Sequence, residues 1–248
     1  CYIHLIRRFI AFILLLLVIA GEYLLAVTYS RGGYLAFLSG LGLMWFFSKR
    51  KRILFLALVF LLVLFSISGG AKRFSSMAET SDGSIRNRFI LWEGMAAMTA
   101  DNWLSGVGSE PYGEAGRLFS AWYQPFDADE SYTTAVCDYL TISAEHGIFA
   151  IFAYLSLVFT ILWFGIRLSI SMRNGLLLGI AAAQLSYLVS AVFSTFYKDL
   201  ELYRLFIALN AALALSVTIG FLFKKLKFEW RDFCLPAGAA AVLSVSLF

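Results

Sequence analysis

The chain has 248 residues, 60% of them hydrophobic and only 15% charged, with 24 Phe, 3 Pro and a formal net charge of +4. Soluble domains average about 45–50% apolar and about 25% charged residues, so this balance excludes a water-soluble domain, and with it a coiled coil, a collagen-like fibre and a disordered chain. The mean hydropathy of +0.79 is gathered in unbroken runs long enough to cross a bilayer, which predicts an integral membrane protein.

The apolar runs extend from Phe9 to about Thr28, Tyr34 to Phe47, Ile53 to Gly69, Tyr139 to Ile166, Leu176 to Phe196, Leu205 to Phe223, and Leu235 to the end. They predict an all-α polytopic membrane protein of about seven transmembrane helices, the last incomplete. Residues 1–70 hold three of these helices, 71–138 an extracytoplasmic, partly helical loop, and 139–248 the remaining ones. Between the first two runs, Ser30-Arg31-Gly32-Gly33 forms a turn that must lie at a membrane face, so Arg31 is interfacial. The clusters Arg7-Arg8, Lys49 to Arg52, Arg167 with Arg173, and Lys224-Lys225-Lys227-Arg231 fall on every second side. By the positive-inside rule the N-terminus is cytoplasmic, and the Arg31 turn, the 71–138 loop and the Tyr197–Arg204 connection face outward.

Charge is distributed to match. The outer loop sets five basic residues against ten acidic ones, so the basicity of the chain is topogenic and no nucleic-acid partner is expected. Cys1, Cys137 and Cys234 have no metal-ligand or disulfide spacing. The first apolar run is too long for a signal-peptide h-region and no small-residue cleavage site ends it, so the first helix is expected to be retained. A first residue of Cys1 rather than Met, and an end inside an apolar run at Phe248, leave open that the chain is a piece of a longer one.

Function is expected in the long outer loop. Ile85, Phe89, Trp92, Met95-Ala96 and Thr99 recur at helical intervals after the candidate caps Ser81, Asp82 and Ser84, which predicts an amphipathic helix lying along the membrane face. Arg88 and Trp92 stand one turn apart on it. Gly106-Val107-Gly108 predicts a tight turn, Glu110 to Tyr132 an irregular loop, and Tyr139 opens the fourth span with Glu145 and His146 in its first two turns.

The charged residues each carry two readings. Glu22, in the outer half of the first span, is either a functional group or the ion-pair partner of Arg31 or another outer arginine. Arg31 is either a snorkelling interfacial residue or a fixed cation beside a Gly-Gly turn through which backbone can approach a ligand. Two arginines arriving from different elements, Arg31 and Arg88, suit a diphosphate whose charge grows as it departs. His146 is either a general base or a residue that caps and solvates a helix start. No residues have metal-ligand spacing, and no Walker-type phosphate loop or Ser-His-Asp arrangement occurs, so neither a metal, ATP nor another cofactor is expected.

Three motifs now stand in order. Thr28-Tyr29-Ser30-Arg31-Gly32 resembles a Ser-Arg-Gly turn, Arg88-Phe89-Ile90-Leu91-Trp92 an Arg-x-x-x-Trp helix, and Asp101 to Gly108 an Asp-His-Pro-Leu-x-Gly-Val-Gly turn. Asp138-Tyr139-Leu140 and Glu145-His146-Gly147-Ile148 follow, similar to a Tyr-Leu and a Glu-x-Gly signature. In this combination, from Thr28 to Phe152, the chain resembles the superfamily of O-antigen ligases and O-antigen polymerases. These are membrane glycosyltransferases of the bacterial cytoplasmic membrane that act on undecaprenyl-diphosphate-linked glycans.

The resemblance implies an outward-facing active site in which Arg31 and Arg88 hold the donor diphosphate while a hydroxyl of a glycan or lipid acceptor attacks the anomeric carbon with inversion. Arg86, Trp92 and Arg117 become further substrate contacts, and membrane lipid a partner. Val136 and Cys137 stand where the family's ligases carry His-Asn, and Asn102-Trp103 where the pattern has His-Pro. The acceptor base therefore stays open among Asp138, Asp129, Glu130, Glu145, His146 and Glu22. Two other readings remain: a non-catalytic subunit of a polysaccharide machine that binds lipid-linked glycan, and a transporter, against which stand the scarcity of embedded charge and the absence of a visible repeat.

Overall fold

The computed structural model describes residues 2–28, 30–49, 51–67, 83–108, 136–195 and 199–222. Among the described residues there are seven helices and no strands: α1 Tyr2–Thr28, α2 Arg31–Phe47, α3 Lys51–Ile67, α4 Gly83–Asp101, α5 Asp138–Met172, α6 Gly175–Ser190 and α7 Leu200–Leu222. The all-α class stands. The α5 helix and residues Tyr203–Gly220 of α7 are long and apolar enough to cross a membrane, while Leu16–Thr28 and α6 are shorter apolar helices. The last apolar run, the caps Ser81 and Asp82, and Arg117, Asp129 and Glu130 lie outside the described residues.

Local chemistry sets the helix boundaries. Ser30, in extended backbone, caps α2 by accepting the Gly33 N–H through its hydroxyl at 3.1 Å. Asn174 caps α6 in the same way, accepting from Leu176 and Leu177, directly after Arg173 ends α5 in a left-handed conformation. Ser84, one of the three candidate caps, lies inside the first turn of α4 rather than before it. The α6 helix ends at Ser190, six residues short of the apolar run, because Ala191 to Thr195 leave the helix to form turns.

Packing follows small residues and one long apolar seam. The buried residues of α2 are Gly32, Ala36 and Gly40, one every four positions, and this stripe admits α6 to close range. A Cβ on Gly40 would run into Ser186 Oγ and come within 3.0 Å of the Ala182 carbonyl. Helices α5, α6 and α7 share a core that includes Val158, Leu162, Phe164, Leu177, Leu188, Phe206 and Leu213. Within it the Gln184 amide donates to the Val158 carbonyl at 3.2 Å and to Asn210 Oδ1 at 2.7 Å, joining the three helices.

Two features differ from the sequence pattern. First, α4 packs on α5 through Leu91, Met95 and Met98 against Cys137, Leu140 and Ala144, whereas Phe89 is 62% exposed. Of the expected stripe, Met95 and Thr99 are buried and Trp92 half-buried, so the stripe overlaps the buried face at one edge while Phe89 lies off it. A helix with apolar residues on most sides offers several such stripes, and only the tertiary partner selects one.

Second, α5 is not one straight span. Gly147 has φ 79 and ψ 178, which breaks the helix into Asp138–His146 and a longer second arm. In a straight helix Ile142 and Leu155 would be about 20 Å apart at 1.5 Å per residue, yet Ile142 packs in one cluster with Ile151 and Leu155. The short arm therefore folds back along the long one. It follows that Glu145 and His146 sit at a bend, not two turns into a continuous span.

Candidate functional site

The Ser30–Tyr34 turn is built by tight packing as well as by its cap. A Cβ on Gly32 would approach Phe193 Cβ to 2.8 Å, and one on Gly33 would approach Leu25 Cδ1 to 2.8 Å. Gly32 packs tightly on Phe193, whereas the Leu25 methyl over Gly33 belongs to a side chain that can move; Arg31 is the first residue of α2, where the partial positive charge of the helix N-terminus favours anions. Tyr34 then ties the turn to α1 by donating its hydroxyl to the Ala26 carbonyl at 3.3 Å.

Arg88 reaches the same place from the other side of the sequence. Its Nη1 donates to the Phe193 carbonyl at 3.1 Å. Phe193 thus meets the backbone of the Arg31 turn through its Cβ and the Arg88 guanidinium through its oxygen. One bond uses one of the five N–H donors of an arginine. Trp92, one turn along α4, is half-buried beside the Leu91–Met95 cluster, and its indole Nε1 is buried without a hydrogen-bond partner. Arg86 is exposed in the first part of α4.

The start of α5 closes on the end of α6 immediately beside this point. The Asp138 N–H donates to the Ala191 carbonyl at 2.9 Å and the Tyr139 hydroxyl to the Leu188 carbonyl at 2.6 Å. Asp138 is only 1% exposed and lies within electrostatic reach of Tyr154 and Tyr187. Of the candidate bases in the described residues, it is the one whose backbone is held two residues from Phe193. Preceding it, Val136 has a positive φ of 53, a conformation that a β-branched residue rarely adopts. Burial pushes the Cys137 thiol up to about 11, opposed in part by backbone hydrogen bonds at Leu140 and Tyr139.

Glu145 and His146 belong to a different construction at the bend. There the backbone groups freed by Gly147 are taken up by the turn after α4: Val107 N–H donates to Ala144 O and Gly108 N–H to Glu145 O, both at 2.9 Å, and Ile148 N–H donates to Trp103 O at 2.8 Å. Gly106 and Gly147 both have positive φ and interlock, since a Cβ on Gly106 would strike the Glu145 carbonyl and one on Gly147 the Leu104 carbonyl. Glu145 is buried and His146 half-buried at this joint.

Of the two readings of Glu22, the ion pair with Arg31 or another outer arginine is not formed among the described residues. Glu22 is 3% exposed, and neither carboxyl oxygen has a hydrogen-bond partner. Among the described residues no group of three or more His, Cys, Asp or Glu gathers as a metal site. Sequence reasoning missed Phe193, because its contribution is a backbone carbonyl and a Cβ, neither of which leaves a mark on residue type. The Gly147 break did leave one, a glycine seven residues after a motif Tyr-Leu inside an otherwise apolar run.

Comparison with known proteins bears on the same region. The family model described as O-antigen ligase matches residues 10–155, more than half of the chain, and covers the Arg31 turn, Arg88, the Asp101–Gly108 turn and the broken start of α5. No curated protein and no solved structure matches. Sequence motifs, their convergence in space and the family match agree, and the chain belongs to the O-antigen ligase family.

Proposed function

We propose that the chain crosses the bacterial cytoplasmic membrane several times with its N-terminus inside, and transfers a polyprenyl-diphosphate-linked glycan to an acceptor hydroxyl on the outer face. The observation that carries this reading is the meeting of the Arg31 turn and the Arg88 side chain at Phe193. Arg31 and Arg88 grip the two phosphates of the donor, with the N-terminus of α2 adding partial positive charge. Arg86 and Trp92 contribute to binding around them, the Trp92 indole N–H as a ready donor; Arg117, outside the described residues, is a further proposed substrate contact by the resemblance alone.

The chemistry is a single displacement. The acceptor O–H bond breaks as its oxygen bonds to the anomeric carbon, the anomeric C–O bond to the diphosphate breaks, and the electron pair leaves with the diphosphate. Inversion follows from attack opposite the leaving group. Negative charge develops on the departing oxygen, and two fixed guanidinium groups stabilise it more in the transition state than in the ground state. Asp138 takes the acceptor proton, its backbone being tied to Ala191, two residues before Phe193; Glu145 and His146, at the bend, are positioning groups.

The test is reconstitution of the purified protein with undecaprenyl-diphosphate oligosaccharide, scoring glycan transfer. Arg31→Ala and Arg88→Ala are expected to lose at least about a hundredfold in turnover, the scale on which single electrostatic donors act. Lysine at either position rescues only partly, lacking the planar fork. Asp138→Asn loses turnover and keeps donor binding. Full turnover in Arg31→Ala at normal expression rejects the assignment. One observation favours a second reading, a subunit that binds lipid-linked glycan without transferring it: Val136 and a buried, weakly acidic Cys137 occupy the His-Asn positions. Donor binding with no turnover in the wild-type protein would select that reading.

A further inference from the structure

The turn after α4 presents an apolar surface that the site does not use. Trp103 is 53% and Leu104 54% exposed, and Phe149, next to the Ile148 that donates to Trp103 O, is 66% exposed. These side chains ride on a fixed mount, because three backbone hydrogen bonds and the Gly106–Gly147 interlock hold the turn against α5.

The patch does not end there. Phe149, Phe152, Ala153 and Leu157 are all exposed and follow one another at helical spacing down the long arm of α5, in the helix that is apolar enough to cross a membrane. Asp101 and Ser105, which flank Trp103 and Leu104 along the chain, are exposed and polar. Trp103 therefore stands where a lipid-facing stripe gives way to polar surface, the place an indole with an apolar body and one N–H prefers. In the resembled pattern a proline occupies this position, so the ring is a feature of this chain.

We infer that Trp103 and Leu104, together with Phe149, are a lipid anchor that seats the Asn102–Gly108 turn at the boundary between headgroups and acyl chains of the outer leaflet. The inference rests on the membrane-spanning reading above. The anchor sets the depth of the adjoining end of α4. Lipid is the occupant because the patch continues a stripe that already faces the bilayer and ends at its polar edge.

The experiment uses the full chain in phosphatidylcholine–phosphatidylglycerol vesicles containing lipids brominated either near the headgroup or near the chain end. Differences between wild type and Trp103→Phe isolate the emission of Trp103, and differences from Trp163→Phe isolate that of Trp163, inside the long arm of α5. The expected result is loss of most of the Trp103 emission with headgroup-proximal bromine, and loss of Trp163 emission with lipid bromine at one depth or the other. Quenching of Trp103 by aqueous iodide instead of by lipid bromine, with Trp163 quenched by lipid, overturns the anchor alone. Absence of lipid quenching at Trp163 overturns the spanning reading and the anchor with it. Quenching of Trp103 that appears only when the protein is diluted below one copy per vesicle assigns the patch to a second copy and also overturns the anchor. A fluorophore on Leu104→Cys, with the native cysteines changed to serine, reads the same depth should Trp103→Phe fail to fold.

Discussion

Cys137 illustrates how little the type of a residue says about its reactivity. Its backbone caps the start of α5 without a side-chain bond, and its buried thiol ionises only near 11. At pH 8 the thiolate fraction is about a thousandth. In a Cys1→Ser, Cys234→Ser background, maleimide labelling of the folded protein is expected to be negligible at neutral pH, to climb as pH rises toward that value, and to become fast on denaturation. Rapid labelling at neutral pH would show a thiol poised for chemistry. Glu22 makes the complementary point. A buried carboxylate without a partner is costly as an anion, so Glu22→Gln, which keeps shape and removes charge, should leave the melting temperature in detergent unchanged or raised, whereas Glu22→Lys should prevent accumulation. A marked loss of stability in Glu22→Gln would mean that the carboxylate has a partner. The sequence identified Glu22 as an embedded charge but not its isolation, because pairing with Arg31 depends on side-chain direction rather than on proximity along the chain.

At the level of elements, the boundaries of the helices were largely legible because apolar runs and turn residues are local signals. The two misreadings have one cause. Which face of α4 is buried, and whether α5 is straight, are both decided by what packs on them: Leu91 and Met98 are chosen by Cys137 and Leu140, and the break at Gly147 is tolerated because a turn forty residues upstream supplies its missing hydrogen bonds. Gly147→Ala and Gly106→Ala each add a methyl group against backbone at a positive φ. Each is expected to cost about 1–3 kcal/mol from strain, measured as a lower melting temperature, and the double variant less than the sum of the two, since either alone already opens the joint. Strict additivity would show that the two glycines do not form one unit.

Over the whole molecule, the described helices are held by two different kinds of contact. Small residues bring α2 onto α6, and a carboxamide pair, buried Gln184 with half-buried Asn210, fastens α5, α6 and α7. In membrane helices such bonds contribute about 0.6 kcal/mol on average and up to about 1.7. A double-mutant cycle of Gln184→Leu and Asn210→Leu is expected to give a coupling in that range, and zero coupling would show the bond to be incidental. The arginine-bearing pieces were legible one by one, as motifs in order; their common meeting point was not, because it depends on α2 packing on α6 and α4 packing on α5.

That meeting point has a consequence for the length of α6. Phe193 touches the turn and accepts from Arg88 only while its azimuth is kept, and each residue added to or removed from a helix swings everything beyond it by about 100° and shifts it by about 1.5 Å. A single codon inserted between Gly175 and Ser190 would therefore turn Phe193 away from the Arg31 turn and from Arg88 together, undoing the proposed site without altering any residue assigned to it.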